Sequence, residues 1–289
     1  MWVALARMDG AGLCNCGIVD LGGRVIVFDT MLTTQASLDL LLAAQTLTGQ
    51  SVTTVINSHW HRDHVQGNFV FPTEADVMAT LSTRTDMITN TPVETETHQK
   101  NVNQTLADAE AALTAAADPA EREEKAIFVK VLRILAEDAP GLRVRLPNVV
   151  FEDHLVLHGT QRRAVVQAMG GGHSASDSIL WLPDDGIAFV ADLLFNRVQP
   201  PLNCDGSVDE WLSIVDQLEA LEPPLQTIIP GHGDVGSREL FGMFRDYVAM
   251  VRAFAADRAV DEPDMPAEYT TWHWTNMFQI NIDFLRKDP

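Results

Sequence analysis

Four groups able to bind a divalent cation fall within six residues of this chain. They are His59, His61, Asp63 and His64, in His59-Trp60-His61-Arg62-Asp63-His64. An apolar run, Val52-Thr53-Thr54-Val55-Ile56, precedes them. A β-strand ending in a turn can aim several of these side chains into one pocket. Imidazole nitrogens and a carboxylate oxygen suit zinc-like ions. The pattern points to a metal site whose remaining ligands come from elsewhere in the chain.

Three further candidates stand at expected strand ends or beside them. His173 lies in Gly170-Gly171-Gly172-His173-Ser174, Asp192 follows the run Ile187–Ala191, and His232 lies in Pro230-Gly231-His232-Gly233-Asp234 after Gln226–Ile229. Glycines let the backbone turn sharply and come close to an ion. Strand ends are also where functional side chains gather.

The elements that would position these groups can be read in order. Leu13–Leu21, a Gly22-Gly23 turn and Arg24–Thr30 read as a β-hairpin. Residues 36–48 show helical spacing through Leu38, Leu41, Leu42 and Leu47, and stop at Gly49. The strand Val52–Ile56 follows. Pro72-Thr73-Glu74 opens an expected helix to about Thr85. Residues 90–145 are rich in Ala, Glu, Lys and Gln, broken at Asp118-Pro119, and predict an inserted pair of helices. Strand patterns return at Val149–Phe151, Leu155–Leu157 and Ala164–Val166. A second hairpin joins Ser178–Leu182 to Ile187–Ala191 through Pro183-Asp184-Asp185-Gly186. Helices are expected at Val208–Ala220 and Ser237–Asp257, with a strand Gln226–Ile229 between them. The tail, about 265–289, is aromatic-rich. Two facing sheets with helices outside would bury so many amphipathic elements. We expect an α/β fold in a single domain over 1–289.

Composition narrows the partners. Apolar residues make up 46% and charged residues 21%, as in an ordinary soluble globular protein. No run approaches the length of a membrane span. The N-terminal Met1–Asp9 has neither a basic start nor a long apolar core, so no signal peptide is expected and the cytoplasm is the expected location. Forty acidic against 20 basic residues give a net charge of -20, which repels nucleic acid and favours a small-molecule substrate. Three cysteines, Cys14, Cys16 and Cys204, argue against a disulfide framework and read as buried or edge thiols.

Taken together, the seven candidate ligands resemble those of the metallo-β-lactamase superfamily. Its mark is His-x-His-x-Asp-His, followed by a His, an Asp and a His at later strand ends. The resemblance runs from the first hairpin to His232. It implies a four-layer αββα sandwich of two mixed β-sheets with outer helices. It also implies that His59, His61 and His173 hold one metal, that Asp63, His64 and His232 hold a second, and that Asp192 bridges them. Two divalent ions, zinc first and iron or manganese as alternatives, would activate a bridging hydroxide. Asp63 and Asp192 would act in catalysis. Members that hydrolyse lactams with a Cys at the bridging position exist. Asp192 departs from them and resembles the family's lactonases and hydroxyacylglutathione hydrolases.

The resemblance therefore implies a dinuclear hydrolase of a small ester, lactone, thioester or amide, β-lactams included. A mononuclear iron sulfur dioxygenase and a non-catalytic metal-binding protein are the alternatives. Asp29, Ser58 and Ser174 are candidates to orient the imidazoles. His98, His154 and His158 are expected at the surface. Trp272-His273-Trp274 is expected to pack on the body, with a pocket wall or a homodimer contact as alternatives. Asn196, Arg197 and Gln199 are expected in a solvated loop. Arg286 and Lys287, the basic pair of the tail, have no expected place.

Overall fold

The computed structural model describes residues 1–7 and 10–287. Met8 and Asp9 of the N-terminal run, and Asp288 and Pro289 of the tail, lie outside the described residues. The chain falls into two compact units, one of residues 1–20 and 24–150, the other of 21–23 and 151–289. No helix among the described residues is long and apolar enough to cross a membrane.

The first unit carries a six-stranded sheet in the order β1-β2-β3-β4-β5-β6: Trp2–Ala4, Cys16–Asp20, Val25–Phe28, Val52–Ile56, Asp76–Thr80 and Val149–Phe151. The expected hairpin is β2–β3, with Gly17 opposite Phe28. Its turn places Gly22 and Gly23 at φ of 86° and 85°, a conformation that favours glycine. β4 pairs parallel with β3 and with β5. The helix α1, Thr34–Thr48, starts at Thr33, whose side chain accepts from the Ala36 amide, and stops at left-handed Gly49. Its buried face is Ser37, Leu40 and Ala44. Leu38, Leu42 and Leu47, three of the four leucines that gave the sequence its helical period, are exposed.

One expectation is corrected outright. The helix expected from Pro72 to Thr85 is a turn, the strand β5 and then the helix α3, Leu81–Thr89. Val77, Met78 and Ala79 are buried, and Val55 and Ile56 of β4 lie opposite Val77 and Met78. Pairing with a central strand outweighs the weak local preference of Asp-Val-Met-Ala. Between the His cluster and β5 lie a single turn of helix, α2 (Arg62–Val65), and a 3₁₀ segment, Gln66–Val70. The Ala- and Glu-rich segment forms α4, Thr91–Ala115, and α5, Pro119–Asp138.

The second unit carries a five-stranded sheet in the order β11-β10-β9-β8-β7: Thr227–Gly233, Ile187–Asn196, Asp177–Leu182, Arg163–Gly170 and His154–His158. Only β10 and β11 pair parallel. Both are longer than the sequence suggests, so Asp192 and His232 lie within strands rather than after them. The pairing of β10 with β11 is irregular between Phe189 and Phe195, and Ala191 has φ 46°. Such irregularity re-aims a side chain within a strand. The helices are α6, Val208–Glu219, α7, Glu239–Ala256, and α8, Met277–Lys287.

The tail thus ends in a helix that the sequence did not announce. Buried Asn281 fastens it: its amide donates to the Pro200 carbonyl and the Tyr247 hydroxyl, and its Oδ1 accepts from the Leu202 amide. Arg286 donates to the carbonyls of Phe254, Asp257, Val260 and Asp261. The arginine left without a place on sequence grounds therefore closes the C-terminal end of α7.

Candidate metal centre

In the first unit, β4 delivers the chain to Asn57-Ser58-His59, and α2 carries Asp63 and His64. His59 and His64 are fully buried; His61 and Asp63 are half-buried. His59 Nε2 lies 3.1 Å from His61 Nδ1, and His64 Nε2 lies 3.4 Å from Asp63 Oδ2.

Asp29 orients these rings from below. It follows β3 with φ 59° and is wholly buried. Its Oδ2 lies 2.8 Å from His64 Nδ1 and accepts from the Ser58 hydroxyl at 2.8 Å; its Oδ1 accepts from the Ser58 amide at 2.8 Å. Ser58 Oγ also stands 2.9 Å from His59 Nδ1. One carboxylate therefore fixes His64 directly and His59 through Ser58, leaving each Nε2 as the lone-pair donor. Burial raises the carboxyl's pKa, and His64 and Ser58 pull it back. The His64 carbonyl is tied down by the Thr30 amide and hydroxyl and by Asn57 Nδ2. The Cys14 thiol donates to the Asp63 carbonyl at 2.9 Å, so this buried thiol supports a candidate ligand's backbone.

In the second unit, His173 sits in the loop between β8 and β9. Asp192 rises from β10 and His232 from β11. All three are buried. His173 Nε2 and His232 Nε2 each lie 3.3 Å from the same atom, Asp192 Oδ2. Gly231 makes room for this carboxylate: a Cβ there would stand 1.9 Å from Asp192 Oδ1.

Asp177, which the sequence reading passed over, builds the His173 loop. It accepts from the Gly172 amide at 3.0 Å, the Ser174 amide at 3.0 Å and the Ser174 hydroxyl at 2.8 Å. The Ser174-x-x-Asp177 spacing was its only signal. Trp211, also missed, lies 5.3 Å from the His173 ring and donates to the Leu193 carbonyl.

Burial pushes the Asp177 carboxyl from 3.8 to about 7, against the pull of its hydrogen bonds. A carboxyl raised on folding favours the protonated form. Its contribution to stability is full below about pH 4 and is lost as pH climbs through 7. Metal-free protein is expected to lose stability between about pH 4 and about pH 7, with a shallower slope in Asp177→Asn. Thermal unfolding in chelator across that range measures both; parallel slopes would contradict the assignment.

Ligands held at about 2.0–2.1 Å by a tetrahedral ion stand about 3.3–3.4 Å apart. The four separations within the two units, 3.1, 3.4, 3.3 and 3.3 Å, are of that size. Facing lone pairs in buried surroundings repel unless a proton or a cation lies between them. Imidazole and carboxylate donors at this spacing suit zinc and ions like it. Among the described residues, the groups that could hold a metal ion comprise His59, His61, Asp63 and His64 in one unit and His173, Asp192 and His232 in the other.

Residues 9–232 match the sequence profile of the metallo-beta-lactamase superfamily. The chain belongs to that superfamily. Among curated relatives, the type 2 metallo-beta-lactamase of Bacteroides fragilis is 32% identical over 74 residues, 25% of this chain and 30% of that enzyme. The aligned segment thus spans less than a third of that relative's length. A metallo-beta-lactamase from Pontibacter korlensis has a similar structure, with TM-score 0.60, 17% identity, and coverage of 82% of this chain and 87% of that one. FIM-1 from Pseudomonas aeruginosa, solved in a mono-zinc form, gives 0.56 at 16% identity over 82% and 84%. The two mixed sheets with flanking helices are the metallo-beta-lactamase fold.

The remaining candidates divide. His154 and His158 are exposed, as expected. His98 is not a plain surface residue. It is half-buried and lines a 420 Å³ groove with Arg62, Val102 and Leu132, and burial lowers its pKa. It stays outside the superfamily pattern, and His98→Ala is expected to change turnover less than about twofold. A large loss would show that the ligand set is incomplete. Gln199, expected in a solvated loop, is buried and accepts from the Tyr247 hydroxyl. Arg197 is exposed. Trp272 packs on Tyr247 and Tyr269, His273 is exposed, and Trp274 lies 4.7 Å from the His232 ring.

Proposed function

We propose that this chain is a metal-dependent hydrolase of small esters, lactones, thioesters or amides, β-lactams included. In this reading the whole chain works as one catalytic domain holding two divalent cations, zinc by donor chemistry. His59, His61 and His173 hold the first, Asp63, His64 and His232 the second, and Asp192 contacts both. The observation that carries it is the spacing of buried and half-buried donors within each unit, of the size tetrahedral ligands need and backed by a carboxylate behind His64. Membership in the superfamily supports the pairing of the two donor sets.

Bound there, the cations would polarise a substrate carbonyl and make a water acidic enough to attack it near neutral pH. Half-buried Asp63 would orient that water or accept its proton. Asp29 and Ser58 hold His64 and His59 in the tautomers that donate lone pairs. The net charge of -20 keeps polyanions away and leaves small substrates as the natural choice.

Metal analysis of protein purified without chelator tests the reading. Two zincs per chain, with turnover lost to a strong chelator and restored by zinc, is the expected result. One iron and no zinc would move the assignment to a dioxygenase, and no metal at all would overturn it. Lactone, thioester, lactam and aryl-ester substrates then divide the hydrolases.

A further inference from the structure

The segment that matches the superfamily ends at residue 232, yet the tail beyond it returns to His232 itself. Its path is fixed by the main chain. The His273 amide donates to the Arg197 carbonyl at 2.9 Å, and the Gln199 amide donates to the His273 carbonyl at 3.0 Å. This bridge pins the tail to the loop just after β10. The next residue, Trp274, has φ 57°. That left-handed conformation is unusual for a bulky side chain and persists only where the surroundings hold it. It brings the indole to 4.7 Å from the His232 ring, tilted by 57°. Phe195 stacks on the same imidazole at 5.4 Å and 10°, and Trp274 and Phe195 lie 6.3 Å apart. Two aromatic rings thus confine one imidazole. Its Nε2 faces Asp192 Oδ2 at 3.3 Å.

A histidine ligand binds well only when its ring plane contains the metal direction, so whatever stops the ring from rotating raises affinity. We propose that Trp274, carried in by this chain's own C-terminal tail, is a positioning residue that holds His232 for metal binding. The proposal rests on the two-cation reading above. Removing the indole frees the ring while leaving the ligand in place. Trp272 supplies the control: it belongs to the same strap but packs on Tyr247 and Tyr269, away from the imidazole. A tail that only stabilises the fold would make the two tryptophans equivalent.

The test measures zinc affinity by competition with a chromophoric chelator, and the melting temperature of metal-free protein, for wild type, Trp274→Ala, Trp274→Phe and Trp272→Ala. We expect Trp274→Ala to weaken one zinc site about tenfold and Trp274→Phe to stay within about threefold of wild type. Trp272→Ala should lower the melting temperature with zinc affinity unchanged. Cobalt(II) should quench tryptophan emission less in Trp274→Phe, which keeps the packing, than in wild type; the remaining quenching belongs to Trp211 beside His173 and Trp60 beside His61. Wild-type zinc affinity in Trp274→Ala, equal weakening in Trp272→Ala, or quenching undiminished in Trp274→Phe would each overturn the proposal. Absence of zinc binding in the wild type would instead overturn the two-cation reading, and this proposal with it.

Discussion

Asp192→Ala is expected to lower turnover by about a thousandfold and to strip metal from the protein. His173 Nε2 and His232 Nε2 both face Asp192 Oδ2 at 3.3 Å. Without it, the proposed first cation would keep only the three neutral imidazoles of His59, His61 and His173, and the second would keep Asp63 as its one negative ligand. Loss of about 4 kcal/mol of transition-state stabilisation corresponds to about a thousand in rate. The fold should survive the change. Asp192 is a buried carboxylate, and its charge helps to raise the pKa of Asp177. Removing it relieves a like-charge repulsion, so metal-free Asp192→Ala should melt no lower than metal-free wild type. Metal content by mass spectrometry, turnover and thermal unfolding separate the two effects. Full activity with full metal content would sink the assignment of Asp192 to the cations.

Much of this was legible because the chemistry-bearing residues lie where chain-local signals are strong. A Gly-Gly pair between β-rich runs specifies a hairpin turn, and the structure uses both glycines at positive φ. His59, His61, Asp63 and His64 lie within six residues, so a strand followed by one helical turn is enough to group them. What was not legible depends on tertiary contact. Val77-Met78-Ala79 has no period that announces a strand; it becomes β5 because β4 offers it a parallel partner. Helix α1 was visible but its buried side was not, because leucines cover most of its surface and only the sheet selects Leu40 and Ala44. Asp192 was expected after its strand, yet an irregular β10 carries it onward and uses Ala191 at positive φ. Asp177 acts through three hydrogen bonds within its own loop, and a lone Ser-x-x-Asp spacing is too common to single it out. The contact of Trp274 with His232 joins segments far apart in sequence, through a main-chain bridge that no side-chain pattern encodes.

Asp29→Asn is the subtler change and should be nearly as damaging. The carboxylate of Asp29 accepts from the Ser58 amide and hydroxyl and holds His64 through Nδ1. As an acceptor it requires His64 to carry its proton on Nδ1, which leaves Nε2 free to donate a lone pair. Asparagine keeps the size of the side chain and tolerates the φ of 59°. It offers only one acceptor atom. If its oxygen stays on the Ser58 amide, its NH₂ group faces His64 Nδ1 and selects the opposite tautomer, with the proton on Nε2 where a cation should bind. If it flips, the NH₂ group faces the Ser58 N–H instead, and a buried donor is left unsatisfied at a cost of about 1–3 kcal/mol. Either outcome penalises the metal-ready arrangement. Zinc affinity should fall about 10- to 100-fold, while Asp29→Ala, which also strains the left-handed backbone and leaves more donors unmet, should lose stability as well. Chelator competition reads the affinity, and the melting temperature of metal-free protein reads the fold. Wild-type zinc affinity in Asp29→Asn would show that His64 takes its orientation from elsewhere, and the buried carboxylate would then be only a brace for the turn after β3.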